Sequence, residues 1–168
     1  MKAHLVIRNH RFGFCLIGLL FILAALTQSR ANAAPPFDPE IEGMRLMKLV
    51  SGTEALRAIN TLHGTAIPMK EGFIAHYLGG QGKATVWVSE APSEPLGKEQ
   101  IDVMIEKMKQ NKRSPFRQYH QTVENNVTVI RFHGMGQIHC VFQIGAWVYW
   151  TSAGDKDTEM LLAHLCQP

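Results

Sequence analysis

Between Phe116 and Thr151 the chain carries four runs rich in β-branched and aromatic residues: Phe116–Val123, Val127–His133, Gln137–Gln143 and Ala146–Thr151. Only Glu124-Asn125-Asn126, Gly134-Met135-Gly136 and Ile144-Gly145 separate them. Connections this short cannot cross a sheet, so consecutive runs must lie side by side and antiparallel. A second pair of such runs, Gly72–Leu78 and Ala84–Glu90, flanks Gly79-Gly80-Gln81-Gly82. Glycines tolerate the positive φ of a tight reversal, so this pair reads as a further hairpin.

Helical signals fall between and after these strands. Ser51-Gly52-Thr53-Glu54 has the form of a capping box, Ala55, Leu56, Ile59 and Leu62 follow at helical spacing, and Gly64 supplies a stop. Beyond a loop at Ala91–Pro95, Ile101, Met104, Ile105 and Met108 repeat at i, i+3, i+4 and i+7 from a start near Gly97. Asp155 or Asp157 is placed to cap a last helix running to about Leu165. The expected architecture is an α+β domain in the order α-ββ-α-ββββ-α, with an antiparallel sheet of about five to six strands and helices packed on one face. It occupies residues 51–168. Residues 34–50, with Pro35, Pro36 and Pro39, read as an extended lead-in of unassigned structure.

The N-terminus points to export. Lys2, Arg8 and Arg11 precede an apolar run from Phe12 to Leu26, and Ala31-Asn32-Ala33 follows. A run of about 15 residues is short of the roughly 20 needed to span a bilayer, and small residues stand where a signal peptidase cuts. Residues 1–33 are therefore expected to be a cleaved signal peptide, leaving 168 − 33 = 135 residues, periplasmic or extracellular, with no stable membrane span after cleavage. This segment also holds four of the 17 Lys and Arg residues and no acid, so the remainder has 17 − 4 = 13 bases against 14 acids, a net charge of −1. That balance excludes a broad cationic footprint for nucleic acid. Removal of Cys15 leaves Cys140 and Cys166, and an even pair in an oxidising compartment is expected to form a disulfide.

Chemistry-bearing patterns are sparse. HExxH, CxxC, GxSxG and SxxK are absent, and Gly79-Gly80-Gln81-Gly82-Lys83 joins two strands instead of opening a helix, so it is not a phosphate loop. No catalytic residue, metal ligand or cofactor is assigned. The most distinctive segment is Phe132–His139, whose turn brings His133, Gln137 and His139 near one hairpin end, with Trp147 and Tyr149 on a nearby strand. These five are the expected binding residues. The expected function is a non-enzymatic exported module that binds a protein partner or a small apolar ligand through an aromatic sheet face. A His-dependent metal-binding protein or hydrolase centred on His133 and His139 is the alternative.

Overall fold

The computed structural model describes residues 37–80 and 82–167, so the expected signal peptide and its cleavage point lie outside the described residues. The chain runs β1 (Glu40–Ile41), β2 (Met44–Ser51), α1 (Gly52–His63), β3 (Glu71–Gly79), β4 (Gly82–Glu90), α2 (Glu94–Gln110), β5 (Arg117–Glu124), β6 (Val127–Gly134), β7 (Gln137–Ile144), β8 (Trp147–Ala153) and α3 (Asp155–Leu165). All eight strands form one antiparallel sheet in the order β1-β2-β3-β4-β8-β7-β6-β5. The two hairpin groups read from the sequence are thus joined where β4 pairs with β8, with Trp87 opposite Trp150 and Val88 opposite Tyr149.

The expected sheet of five to six strands in the order α-ββ-α-ββββ-α is therefore corrected to eight, preceded by two strands rather than by a helix. Both extra strands lie in the segment left unassigned. β2 was hidden by a bulge between Leu46 and Lys48. An inserted residue flips the alternation, so Leu46 packs on one sheet face while Val50 packs on the other, and no period-2 pattern survives.

The helices do not share one face, which corrects the second half of that expectation. α1 and α2 cover the face carrying Ile74, Trp87, Val141 and Trp150. α3 covers the opposite face, where Leu161, Leu162 and Leu165 pack with Tyr77, Val86 and Phe142. The β1–β2 hairpin adds Ile41 and Met44 to that second core. Arg131, projecting from β6 to the α3 side, ties the helix down. Its guanidinium donates to Glu159 on α3, to Glu124 at 3.0 Å and to the Thr122 hydroxyl at 3.2 Å on β5. The Arg131 hydrogen bond holds the Glu159 carboxyl below the usual carboxylate range against its partial burial.

Helix ends also differ from the sequence reading. α1 ends as expected, at Gly64 with φ 67°, but the Ser51 side chain makes no capping bond and Gly52 starts the helix at φ 62°. α2 begins at Glu94 rather than Gly97, because Ser93 acts as the N-cap and Pro95 is preset for the first turn. α3 is preceded by Gly154, and neither Asp155 nor Asp157 caps it. Gly97 is needed for another reason: a Cβ there would stand 2.9 Å from Gln143 Nε2 and 3.2 Å from Val148 Cγ2. The start of α2 thus lies tightly on β7 and β8.

Candidate functional site

The shared helix face is incompletely covered. α1 packs on β2, β3 and β4, whereas α2 packs on β7 and β8. The seam between the helices therefore falls over the β4–β8 junction, where Trp87 and Trp150 meet edge to face at 6.3 Å. There the chain leaves a cleft of about 380 Å³, walled by Leu62 and His63 of α1, by Ile67 and Pro68 of the following loop, and by Leu96, Val103, Met104 and Met108 of α2. Phe116 and Trp150 form its floor, and the polar side chains of Thr65, Glu99, Gln100 and Lys107 also line it. A narrow extension beneath it reaches Ile59, Trp87 and Val141. Leu62, Leu96 and Val103 are exposed at 41–46% and form an apolar rim; Leu62 shares the helical spacing of Ala55 and Ile59 but, at the end of α1, does not bury with them. A concave site of this volume with an aromatic floor is the ordinary form of a small-molecule site.

The floor is held by stacked rings. Phe116 meets Trp150 at 5.7 Å and Phe132 at 5.2 Å, both edge to face, and Phe132 stacks on the His139 imidazole at 5.5 Å. Two hydrogen bonds fix the histidine. The Trp150 indole N–H donates to His139 Nδ1 at 3.1 Å, which leaves the proton on Nε2, 3.0 Å from the Gly134 carbonyl that accepts it. Both ring nitrogens are thus used in the neutral form. Burial lowers the His139 pKa below 6.5, with the Gly134 bond opposing and His133 adding to the shift. His139 orients the cleft-floor tryptophan and has no free nitrogen for a metal or a substrate.

Of the five residues singled out in the sequence, only His139 belongs to this site, and it does so through Trp150. His133 is exposed and pairs with Ile138, one residue out of phase with His139, so the two imidazoles lie on opposite faces of the sheet. Gln137 is half-buried and bonded within the sheet, donating to the Lys83 carbonyl at 2.8 Å and accepting from the Ser152 hydroxyl. Trp147 and Tyr149 share a face, but it is the α3 face, where both are buried. Trp147 packs on Phe73 at 6.1 Å and Tyr149 stacks on Phe142 at 4.8 Å. Neither presents a surface.

Cys140 and Cys166, the pair expected to form a disulfide, are both buried in the α3-side core, where they stand as free thiols. Burial pushes them up to about 11 and about 12 respectively, so neither is a thiolate near neutrality. Among the described residues, no three His, Cys, Asp or Glu side chains converge as a metal site would need, and no helix is long and apolar enough to cross a membrane.

The cleft residues that sequence reasoning missed had a faint signal. Leu96 and Val103 are apolar yet fall outside the i, i+3, i+4 stripe of α2, and Ile67-Pro68 adds two apolar residues to a connection. No sequence pattern shows that these separate positions border one opening.

No protein-family model matches the sequence, and no curated protein matches it. Among solved structures, a GTP binding regulator from Thermotoga maritima is similar at a TM-score of 0.46 and 11% sequence identity, covering 75% of this chain and 77% of that one. A likeness at that level assigns neither a family nor an activity.

Proposed function

We propose that this protein is a non-catalytic binding module of the exported class, taking a small apolar ligand into the cleft between α1 and α2. The observation that supports the reading is the cleft of about 380 Å³ over Trp150. Aliphatic and methionine side chains, which adapt to an irregular apolar guest, make up much of its lining, with Thr65, Glu99, Gln100 and Lys107 beside them. Its one imidazole is His63, whose Nδ1 bonds to the Ile59 carbonyl at 2.8 Å. Burial of an apolar ligand against this lining contributes roughly 25 cal/mol per Å² removed from water, less the cost of immobilising it.

The test is a fluorescence titration with the neutral apolar probe N-phenylnaphthylamine. Saturable binding that quenches or shifts tryptophan emission is expected, and it should be lost in Leu62→Lys/Val103→Lys, whose changes sit on the exposed rim and leave the core intact. Leu78→Lys, an equally exposed change on β3, serves as the control and should bind as the unaltered protein does. Absence of saturable binding, or equal binding by the rim variant, overturns the reading.

A further inference from the structure

We infer that the ligand class of this cleft is an anionic single-chain amphiphile, its apolar chain lying along α2 and its charged head at the α2–β5 connection. This rests on the cleft being the binding site. The two ends of the cleft differ in charge. Its lining runs along α2 from Leu96 to Met108, roughly 18 Å at 1.5 Å per residue, a shape suited to an extended chain more than to a compact ring. Glu99 stands toward the first end and Lys107 toward the second.

Past Lys107 the asymmetry grows. Lys107, Lys109, Lys112, Arg113 and Arg117 fall within eleven residues, and no Asp or Glu occurs between Glu106 and Glu124. This is a local concentration of cations in a chain whose residues after position 33 sum to −1. Lys107, Lys109, Lys112 and Arg113 are exposed, and none forms an ion pair among the described residues. Lys109 lies 5.6 Å from the centre of the Tyr119 ring. Arg117 is differently engaged, donating to the carbonyls of Lys112, Ser114 and Phe116, and so it orders the connection that carries the other charges.

The cationic region and the cleft are contiguous. A second depression, lined by Lys109, Lys112, Arg117 and Tyr119, shares the Phe116 ring with the cleft. A chain leaving the apolar cleft past Phe116 enters this basic depression directly. The Tyr119 hydroxyl is buried beside it without a hydrogen-bond partner among the described residues. A mostly apolar lining, with Lys107 and the unpaired cations of the adjoining depression toward its Met108 end, matches a carboxylate-headed chain, whereas a cationic amphiphile would meet like charge.

The experiment titrates the protein at low salt with dodecanoate and dodecyltrimethylammonium below their micelle concentrations and dodecanol below its solubility limit, reading tryptophan emission. Dodecanoate should bind about tenfold more tightly than dodecanol, and the cation least. In Lys109→Glu/Lys112→Glu, which alters no cleft-lining residue, dodecanoate should lose roughly five- to tenfold while dodecanol stays unchanged, as expected for two solvent-screened charges, and added salt should narrow the preference. If dodecanol binds as well as dodecanoate and the charge reversal changes neither, the anionic head is wrong while the apolar cleft stands. If none of the three binds saturably, both fail.

Discussion

Three buried groups, one imidazole and two thiols, set the behaviour of this protein at the scale of single residues. His139 is neutral in the fold, with its pKa depressed chiefly by burial. An unfolded chain with an ordinary histidine near 6.5 takes up protons that the folded state refuses, so this contribution to stability is complete above 6.5 and is lost as pH falls below it. Protonation would also set an Nδ1–H against the Trp150 indole N–H. Denaturant midpoints should therefore hold steady between pH 7 and 8 and fall on the acid side. His139→Gln should flatten that fall without abolishing it, because His76 is also depressed, by burial and then by Lys48 and Lys83. An unchanged acid slope in the variant would refute the assignment. The thiols make a second expectation at this scale. Buried and raised to about 11 and about 12, Cys140 and Cys166 should react with iodoacetamide at pH 8 far more slowly in the native protein than after denaturation. Equal rates in the two states would contradict their placement.

Among the elements, β6 carries the most consequence because it supports both faces. At its end, Gly134 underlies the Phe116 ring so closely that a Cβ there would collide with it. Its backbone is not in the left-handed region, so Gly134→Ala tests the contact alone. The ring must move, at a cost of about 1–3 kcal/mol by overpacking, and the boundary between cleft and basic depression should loosen with it. Chemical denaturation measures the first effect, and unchanged stability would show that Phe116 is not held there. On the other face, Arg131→Met should lower stability by about 1–2 kcal/mol, a modest value because Glu159 and Glu124 are solvated enough to rehydrate.

These elements also show what was legible in the sequence. The four C-terminal strands and their antiparallel pairing followed from two- and three-residue connections, and the Ile101, Ile105 stripe of α2 buried as its spacing required. β2 was illegible because its bulge breaks alternation, and β1 because two residues hold no period at all. The site was harder still. Strand alternation puts Trp147 and Tyr149 on one face, but which face a helix leaves open depends on where the α2 and α3 crossovers land, and alternation is silent on that. His133 and His139 looked adjacent across a turn, yet the odd number of pleats between them sets them on opposite sides.

At the scale of the whole molecule, an eight-stranded sheet divides its aromatic residues between a sealed face under α3 and an incompletely covered face under α1 and α2. The three tryptophans report on that division. Trp150 floors the cleft, Trp87 lines its narrow extension, and Trp147 is buried across the sheet among Phe37, Phe73 and the α3 core. Ligand binding should also raise the melting temperature with concentration, since anything that binds only the folded state stabilises it by RT ln(1 + [L]/Kd). The most direct measurement follows the three indole N–H resonances during titration with dodecanol. Displacement of the Trp150 signal, with Trp87 shifting less and Trp147 fixed, is the expected result. Three unmoved signals at concentrations that saturate the fluorescence change, or movement of Trp147 with Trp150 still, would contradict it.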